Sequence, residues 1–159
     1  MAAVVDTSPL ILLAKINQLP LLSELYRQVF IPLAVVTELR AKPDAISPEL
    51  DRVMRSARVQ APGNATQVLT LSVSLGIGEA EAIALASEIP HSILIMDDSE
   101  GRRMAQGLGL RVTGLLGMLI EAKALRAVPA VTPLLHQLVA EGLWLSETMR
   151  RRVLDTVGE

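Results

Sequence analysis

Short apolar runs alternate with longer amphipathic stretches along most of the chain. Val4-Val5, with the alanines before them, read as a short buried strand ending in Asp6-Thr7-Ser8. Pro9 suits the first residue of a helix capped by Ser8 or Thr7. That helix, from Leu10 to about Ile16, is nearly all apolar and is expected to be buried. A second helix is predicted from Leu19 to Gln28, then a strand Val29-Phe30-Ile31, then a helix over Leu33 to Arg40 begun by Pro32 and ending before Lys42-Pro43. From Pro48 to Ser56, Leu50, Val53 and Met54 alternate with Asp51, Arg52 and Arg55 in the pattern of an amphipathic helix. Arg58 to Ala61 reads as an edge strand closed by Pro62-Gly63.

Asn64 to Leu75 is a weakly patterned helix, and Gly76 and Gly78 bracket a turn before an alanine-rich helix over Glu79 to Glu88. Ile93 to Met96 are four large apolar residues running straight into Asp97-Asp98-Ser99-Glu100-Gly101-Arg102-Arg103, as expected of a strand buried on both faces. A helix from Ser99 to about Gln106 follows, terminated by Gly107 and Gly109. Leu110 to Thr113 is a last strand, and three helices are predicted over Leu115 to Arg126, Pro133 to Ala140 and Ser146 to Val157. Strands alternating with helices in this way predict one domain over residues 1–159, a three-layer α/β/α fold with a mainly parallel central sheet. The strand ends on one side of such a sheet share a crevice.

Composition narrows the chemistry. Half of the 159 residues are hydrophobic and the mean hydropathy is +0.41, which excludes a disordered chain. A net charge of -2 excludes a strongly basic nucleic-acid coat protein but leaves room for local basic patches. With no cysteine there is no disulfide frame, thiolate zinc site or cysteine nucleophile. Met1-Ala2-Ala3-Val4-Val5-Asp6 lacks the basic start of a signal peptide, and no uncharged run approaches the length of a membrane span, so a cytoplasmic location without membrane contact is the expectation. Tyr26, Phe30 and Trp144 are the only aromatics, too few for a surface that stacks several bases.

The acids carry the functional signal. Asp6 ends the first strand as Asp97 and Asp98 end a later one, and parallel strands would bring these ends to the same edge. Each also has a plain structural reading: Asp6 as a helix cap, Asp97 as a cap with Glu100 three residues on. On the alanine-rich helix Glu79 shares its stripe with Ala82, Ile83 and Ala86 and can face inward, whereas Glu81 points away with Leu85 and Glu88. Either glutamate also favours the positive end of its own helix. Glu38 is the lone acid of a mostly apolar helix and could face either solvent or a site. Clustered carboxylates with no histidine or cysteine among them suit hard cations such as Mg²⁺ or Mn²⁺, and such ions support hydrolysis of phosphodiesters. Thr7 or Ser8 could bond a water or phosphate there, and Arg102 could reach a substrate phosphate. His91 and His136 have no acid or serine at a telling spacing, and no phosphate-binding glycine loop is present.

Taken in order, Val5-Asp6-Thr7-Ser8-Pro9-Leu10-Ile11, Ile31-Pro32 with Val35-Val36-Thr37-Glu38-Leu39, Gly78-Glu79-Ala80-Glu81-Ala82-Ile83-Ala84-Leu85-Ala86, Leu94-Ile95-Met96-Asp97-Asp98, Gly101-Arg102, Leu110 to Gly117 and Glu121-Ala122-Lys123 resemble a PIN domain, and more narrowly the PIN-like family DUF3368. The likeness covers essentially the whole chain. It implies a metal-dependent endoribonuclease acting on single-stranded RNA, the toxin of a toxin–antitoxin pair, with Mg²⁺ or Mn²⁺ as cofactor. It implies Asp6, Glu38, Glu79 and Asp98 as catalytic acids, with Asp97 as the alternate to Asp98 among the metal ligands. It further implies a homodimer and a small antitoxin partner. The alternative is a catalytically silent PIN-like module that binds RNA or protein.

Overall fold

A computed structural model describes residues 1–159, with the side chain of residue 45 outside the description. The strands are β1 (Ala2–Val5), β2 (Gln28–Pro32), β3 (Arg58–Gln60), β4 (Ser92–Ile95) and β5 (Arg111–Thr113). Between β1 and β2 lie α1 (Thr7–Lys15) and α2 (Leu21–Leu25); between β2 and β3 lie α3 (Leu33–Arg40) and α4 (Pro48–Ser56). Helices α5 (Ala65–Ser72) and α6 (Ile77–Glu88) precede β4, and α7 (Ser99–Gly107) joins it to β5. The chain closes with α8 (Leu115–Ala124), α9 (Thr132–Ala140) and α10 (Glu147–Val157).

The strands form one sheet in the order β3-β2-β1-β4-β5, and all four pairings are parallel. The sheet is therefore fully parallel, where the sequence pattern predicts a mainly parallel one. Side chains of successive strand residues point to opposite faces, and two apolar clusters follow. Val5, Ile31, Ile93 and Ile95 pack with residues of α1, α3, α4 and α8–α10. Val4, Phe30, Leu94 and Met96 pack with α5, α6 and α7. Every residue of β4 is buried, as its unbroken apolar run demands. The alanines of α6 allow that helix to lie close on the sheet, and Ala80, Ala82 and Ala84 have no exposed surface. Among the described residues no helix is long and apolar enough to cross a membrane.

Element ends differ from the sequence reading where two local signals compete. The helix predicted from Leu19 to Gln28 shortens to α2, because Gln28 already pairs with Ala2 in the sheet. Pro32 both ends β2 and stands at the N-cap position of α3, which spans Leu33–Arg40 as the sequence pattern predicts. The first helix begins at Thr7 with Asp6 at its N-cap position and no side-chain cap bond, so neither Ser8 nor Thr7 caps it. Gly78 lies inside the first turn of α6, whose capping position is Gly76.

Candidate active site

The order of the strands creates the site. The chain builds β1, β2 and β3 toward one side, then returns to add β4 and β5 on the other. Loops part at such a switch and leave a crevice beyond the carboxyl ends of the strands. Val5 of β1 lies opposite Ile95 of β4, and the Asp6 N–H donates to the Ile95 carbonyl at 3.1 Å. Asp6 is thereby fixed beside Met96-Asp97-Asp98 at the mouth of that crevice.

Asp6 is the most enclosed acid, 4% exposed. Burial pushes its carboxyl from 3.8 up to about 7; the Thr7 backbone N–H pulls against this, and the charges of Glu79, Glu38 and Asp98 push further upward. Carboxylates raise one another in this way when they stand close together. Elements separated by dozens of residues thus bring Glu38, Glu79 and Asp98 around Asp6, and Asp97 is not in that set.

Each of the three is tied to the backbone of a glycine. Glu38 Oε1 accepts from the Gly78 N–H at 3.1 Å, while Oε2 accepts from Thr7 Oγ1 at 3.0 Å. Glu79 Oε2 accepts from the Gly76 N–H at 2.6 Å, closing the first turn of α6 from within. Asp98 Oδ2 accepts from the Gly101 N–H at 2.7 Å, which makes it the N-cap of α7. The close approach needs glycine: a Cβ on Gly78 would stand 2.6 Å from Glu38 Oε1, and one on Gly76 2.7 Å from Glu79 Oε2. Gly76 and Gly78 read in the sequence only as the brackets of a turn.

Asp97 belongs to a separate knot. Its Oδ1 accepts from the Leu115 N–H at 3.0 Å, at the start of α8, and Oδ2 is buried without a partner. Burial raises its carboxyl, with the Leu115 amide and the Arg102 charge opposing. Arg102 makes a long contact of 3.4 Å to the Met96 carbonyl. A Cβ on Gly114 would meet the Arg102 guanidinium and stand 2.6 Å from Asp97 Oδ1. Both aspartates are thus caps, of different helices. The sequence reading of Asp97 as the cap paired with Glu100 is corrected, since α7 is capped by Asp98.

The remaining candidates separate cleanly. Glu81 accepts from the Ala34 N–H at 2.8 Å and secures the start of α3, so it serves that helix. Ser8 is exposed. Arg102 is half-buried against the end of β4, aimed along the chain and not outward. His91 precedes β4 at the opposite edge of the sheet, and His136 meets Arg150 at 3.1 Å on the surface of α9.

Among the described residues no three acids or histidines stand close enough to enclose a single ion. The donor set nevertheless fits a hard divalent cation in its chemistry. It is oxygen only, and Asp6 is a buried carboxylate on which the charges that act, those of Glu79, Glu38 and Asp98, are all anionic. Mg²⁺ keeps several of its waters and needs only one or two direct carboxylates, so a spread arrangement centred on Asp6 suits it.

The sequence model of DUF3368, described as a PIN domain, matches residues 2–159. No curated protein matches the chain. Among solved structures, a PilT N-terminus domain protein from the archaeon Sulfolobus solfataricus P2 is similar, with a TM-score of 0.51 and 19% identity, over 77% of this chain and 93% of that one. At that identity the likeness concerns the fold alone.

Proposed function

The chain belongs to the DUF3368 family of PIN domains, and on that premise we propose that it is an endoribonuclease dependent on Mg²⁺ or Mn²⁺ that hydrolyses single-stranded RNA. PIN domains are generally nucleases, and the observation that carries the reading is the buried Asp6 faced by Glu38, Glu79 and Asp98 at the switch point of the sheet. Asp6, Glu79 and Asp98 would hold the cation directly or through water. A divalent cation supplies Lewis-acid activation of water and neutralises charge on the phosphodiester. The protein's own part is to place and orient. The Thr7 hydroxyl and the Gly78 amide fix both oxygens of Glu38, leaving it poised to orient a water at the Asp6 edge. Asp98 is exposed at the crevice mouth and free to meet solvent or substrate on its second oxygen. Ser8 offers a hydroxyl to a substrate phosphate, and Arg102 contributes by holding the Asp97 loop in place. Membership of a toxin–antitoxin pair, with a small antitoxin as partner, a homodimeric state and a cytoplasmic location complete the proposal. Leu69 and Val73, 70% and 86% exposed and one helical turn apart, offer an apolar face for self-association.

The purified chain is expected to cut single-stranded RNA with Mn²⁺ and to stop on addition of a chelator. Cleavage that persists in the chelator would overturn the proposal. The bonds of Glu79 and Asp98 to amides at the starts of α6 and α7, with no three acids enclosing one point among the described residues, favour a second reading, in which the acids act as helix caps of a silent RNA- or protein-binding module. Calorimetric titration with Mn²⁺ separates the two, because the silent module takes up no metal at millimolar concentration.

Gly78→Ala tests the glycine seat of Glu38. Gly78 lies in a helix without a left-handed backbone, so alanine gains up to about 1 kcal/mol of helix preference. The new methyl would stand 2.6 Å from Glu38 Oε1 and push that carboxylate aside. The expected result is an unchanged or slightly higher Tm with cleavage reduced roughly 10- to 100-fold, the scale of a misplaced positioning group. A full rate would remove Glu38 from the working site.

A further inference from the structure

At the end of the sheet opposite the acids lies a cavity of about 580 Å³ that the nuclease reading does not use. It opens where Gln28 begins β2 and Arg58 begins β3, whereas Asp6 and Asp98 follow the far ends of β1 and β4. Its floor is apolar: Leu22 and Tyr26 are almost wholly buried, and Val29, Val53 and Ala57 turn half-buried surfaces toward the space. Arg27, Arg52 and Arg58 stand around it and all are exposed. Among the described residues none of these three has a carboxylate within 4.0 Å; the ion pairs present engage Arg40, Arg55, Arg103, Lys123 and Arg150 instead. Arg58 turns its guanidinium over the Phe30 ring at 5.8 Å, on the α5–α6 face of the sheet and away from the hollow, so Arg27 and Arg52 are the two charges at its rim. The lining contains one acid, Glu49. In a chain of net charge -2, the two unpaired guanidiniums of Arg27 and Arg52 beside one apolar hollow form a local reversal of sign.

The C-terminal ends of α2 and α4 point toward this edge, and their partial negative charge offsets some of the repulsion among the arginines. The volume of the hollow falls in the range of small-ligand sites, about 300–1,000 Å³, which combine apolar walls with a few orienting polar groups. We propose that this cavity binds a small amphipathic anion, an apolar body seated between α2 and α4 with its carboxylate, sulfonate or phosphate head on Arg27 and Arg52. The site is independent of metal and of Asp6.

The test titrates the full chain with 8-anilinonaphthalene-1-sulfonate, an aromatic body with one anionic head, and follows its fluorescence. Saturable binding at one site is expected, displaced by decanoate below its micellar concentration and not by decanol. Arg27→Gln and Arg52→Gln, both at exposed side chains, are each expected to weaken binding roughly tenfold, the scale of one charge-assisted hydrogen bond. Arg152→Gln on the distant α10 and Asp6→Asn are expected to leave it unchanged. Non-saturating fluorescence, equal displacement by decanol, or unaltered binding in both arginine variants would overturn the proposal, the last by locating the dye on an exposed apolar face such as Leu69 and Val73. Because Asp6→Asn is silent here, loss of the nuclease reading leaves this result standing.

Discussion

Asp6→Asn is expected to abolish RNA cleavage while making the protein no less stable. The substitution keeps the shape of the side chain and removes a charge that is 4% exposed and faced by Glu38, Glu79 and Asp98. In the absence of metal that charge is a burden, since burial and three like charges act against it together. Asparagine relieves the burden and leaves the strand pairing of β1 untouched. The Tm at pH 8 is therefore expected to be equal or higher. Cleavage is expected to fall at least about 10²–10³-fold, the scale of losing one group that stabilises charge in a transition state. Opposite signs in activity and stability mark a site maintained at a cost to the fold. A Tm lowered by several degrees would instead make Asp6 an ordinary cap of α1, and the four-acid site would lose its centre.

The layered fold was legible because the strongest signal in the sequence, an apolar run stopped by charge, has few structural solutions. Ser92 to Ile95 could be little other than a central parallel strand, and the acids at strand ends then had to share an edge. Glu38 was less legible. Its position on α3 brings it to the site only because Gly78 allows a carboxylate against the backbone of α6, a contact spanning two separate helices. The division between Asp97 and Asp98 lay beyond the sequence for a related reason. Adjacent residues in a loop can cap different helices, and only the placement of α8 directs Asp97 to Leu115. The arginine-rimmed cavity was equally hidden, because Arg27 and Arg52 meet through α2 ending early and β2 starting at Gln28. Local pattern reports what each element is; which glycine lies against which acid depends on packing.

Stability should fall as pH rises from about 4 to about 7. In the unfolded chain Asp6 loses its proton near 3.8, and in the folded chain near 7. Between these values the folded state binds the extra proton, so raising the pH favours unfolding. The stabilisation is complete below 3.8 and is lost as pH passes through about 7. At about 1.4 kcal/mol for each pH unit, the ceiling for this one group is about 4 kcal/mol, or roughly 10 °C in Tm for a chain of this size. Asp97, raised by its own burial, adds in the same direction, so Asp6→Asn is expected to flatten the slope without erasing it. Glu159 acts in another window. Held down to about 2 chiefly by the Val131 and Thr132 amides, it costs stability only as pH falls below the ordinary glutamate range. The same proton account predicts the effect of metal. A cation at Asp6 competes with the proton, so Mn²⁺ at about 100 times its Kd should add about 2.7 kcal/mol at pH 8 and far less at pH 5. Thermal melts across pH 4–8, with and without Mn²⁺, check both halves. A Tm that climbs with pH through this window, or a metal effect independent of pH, would show that the charge on Asp6 is already compensated within the protein and that the crevice has no vacancy for a cation to fill.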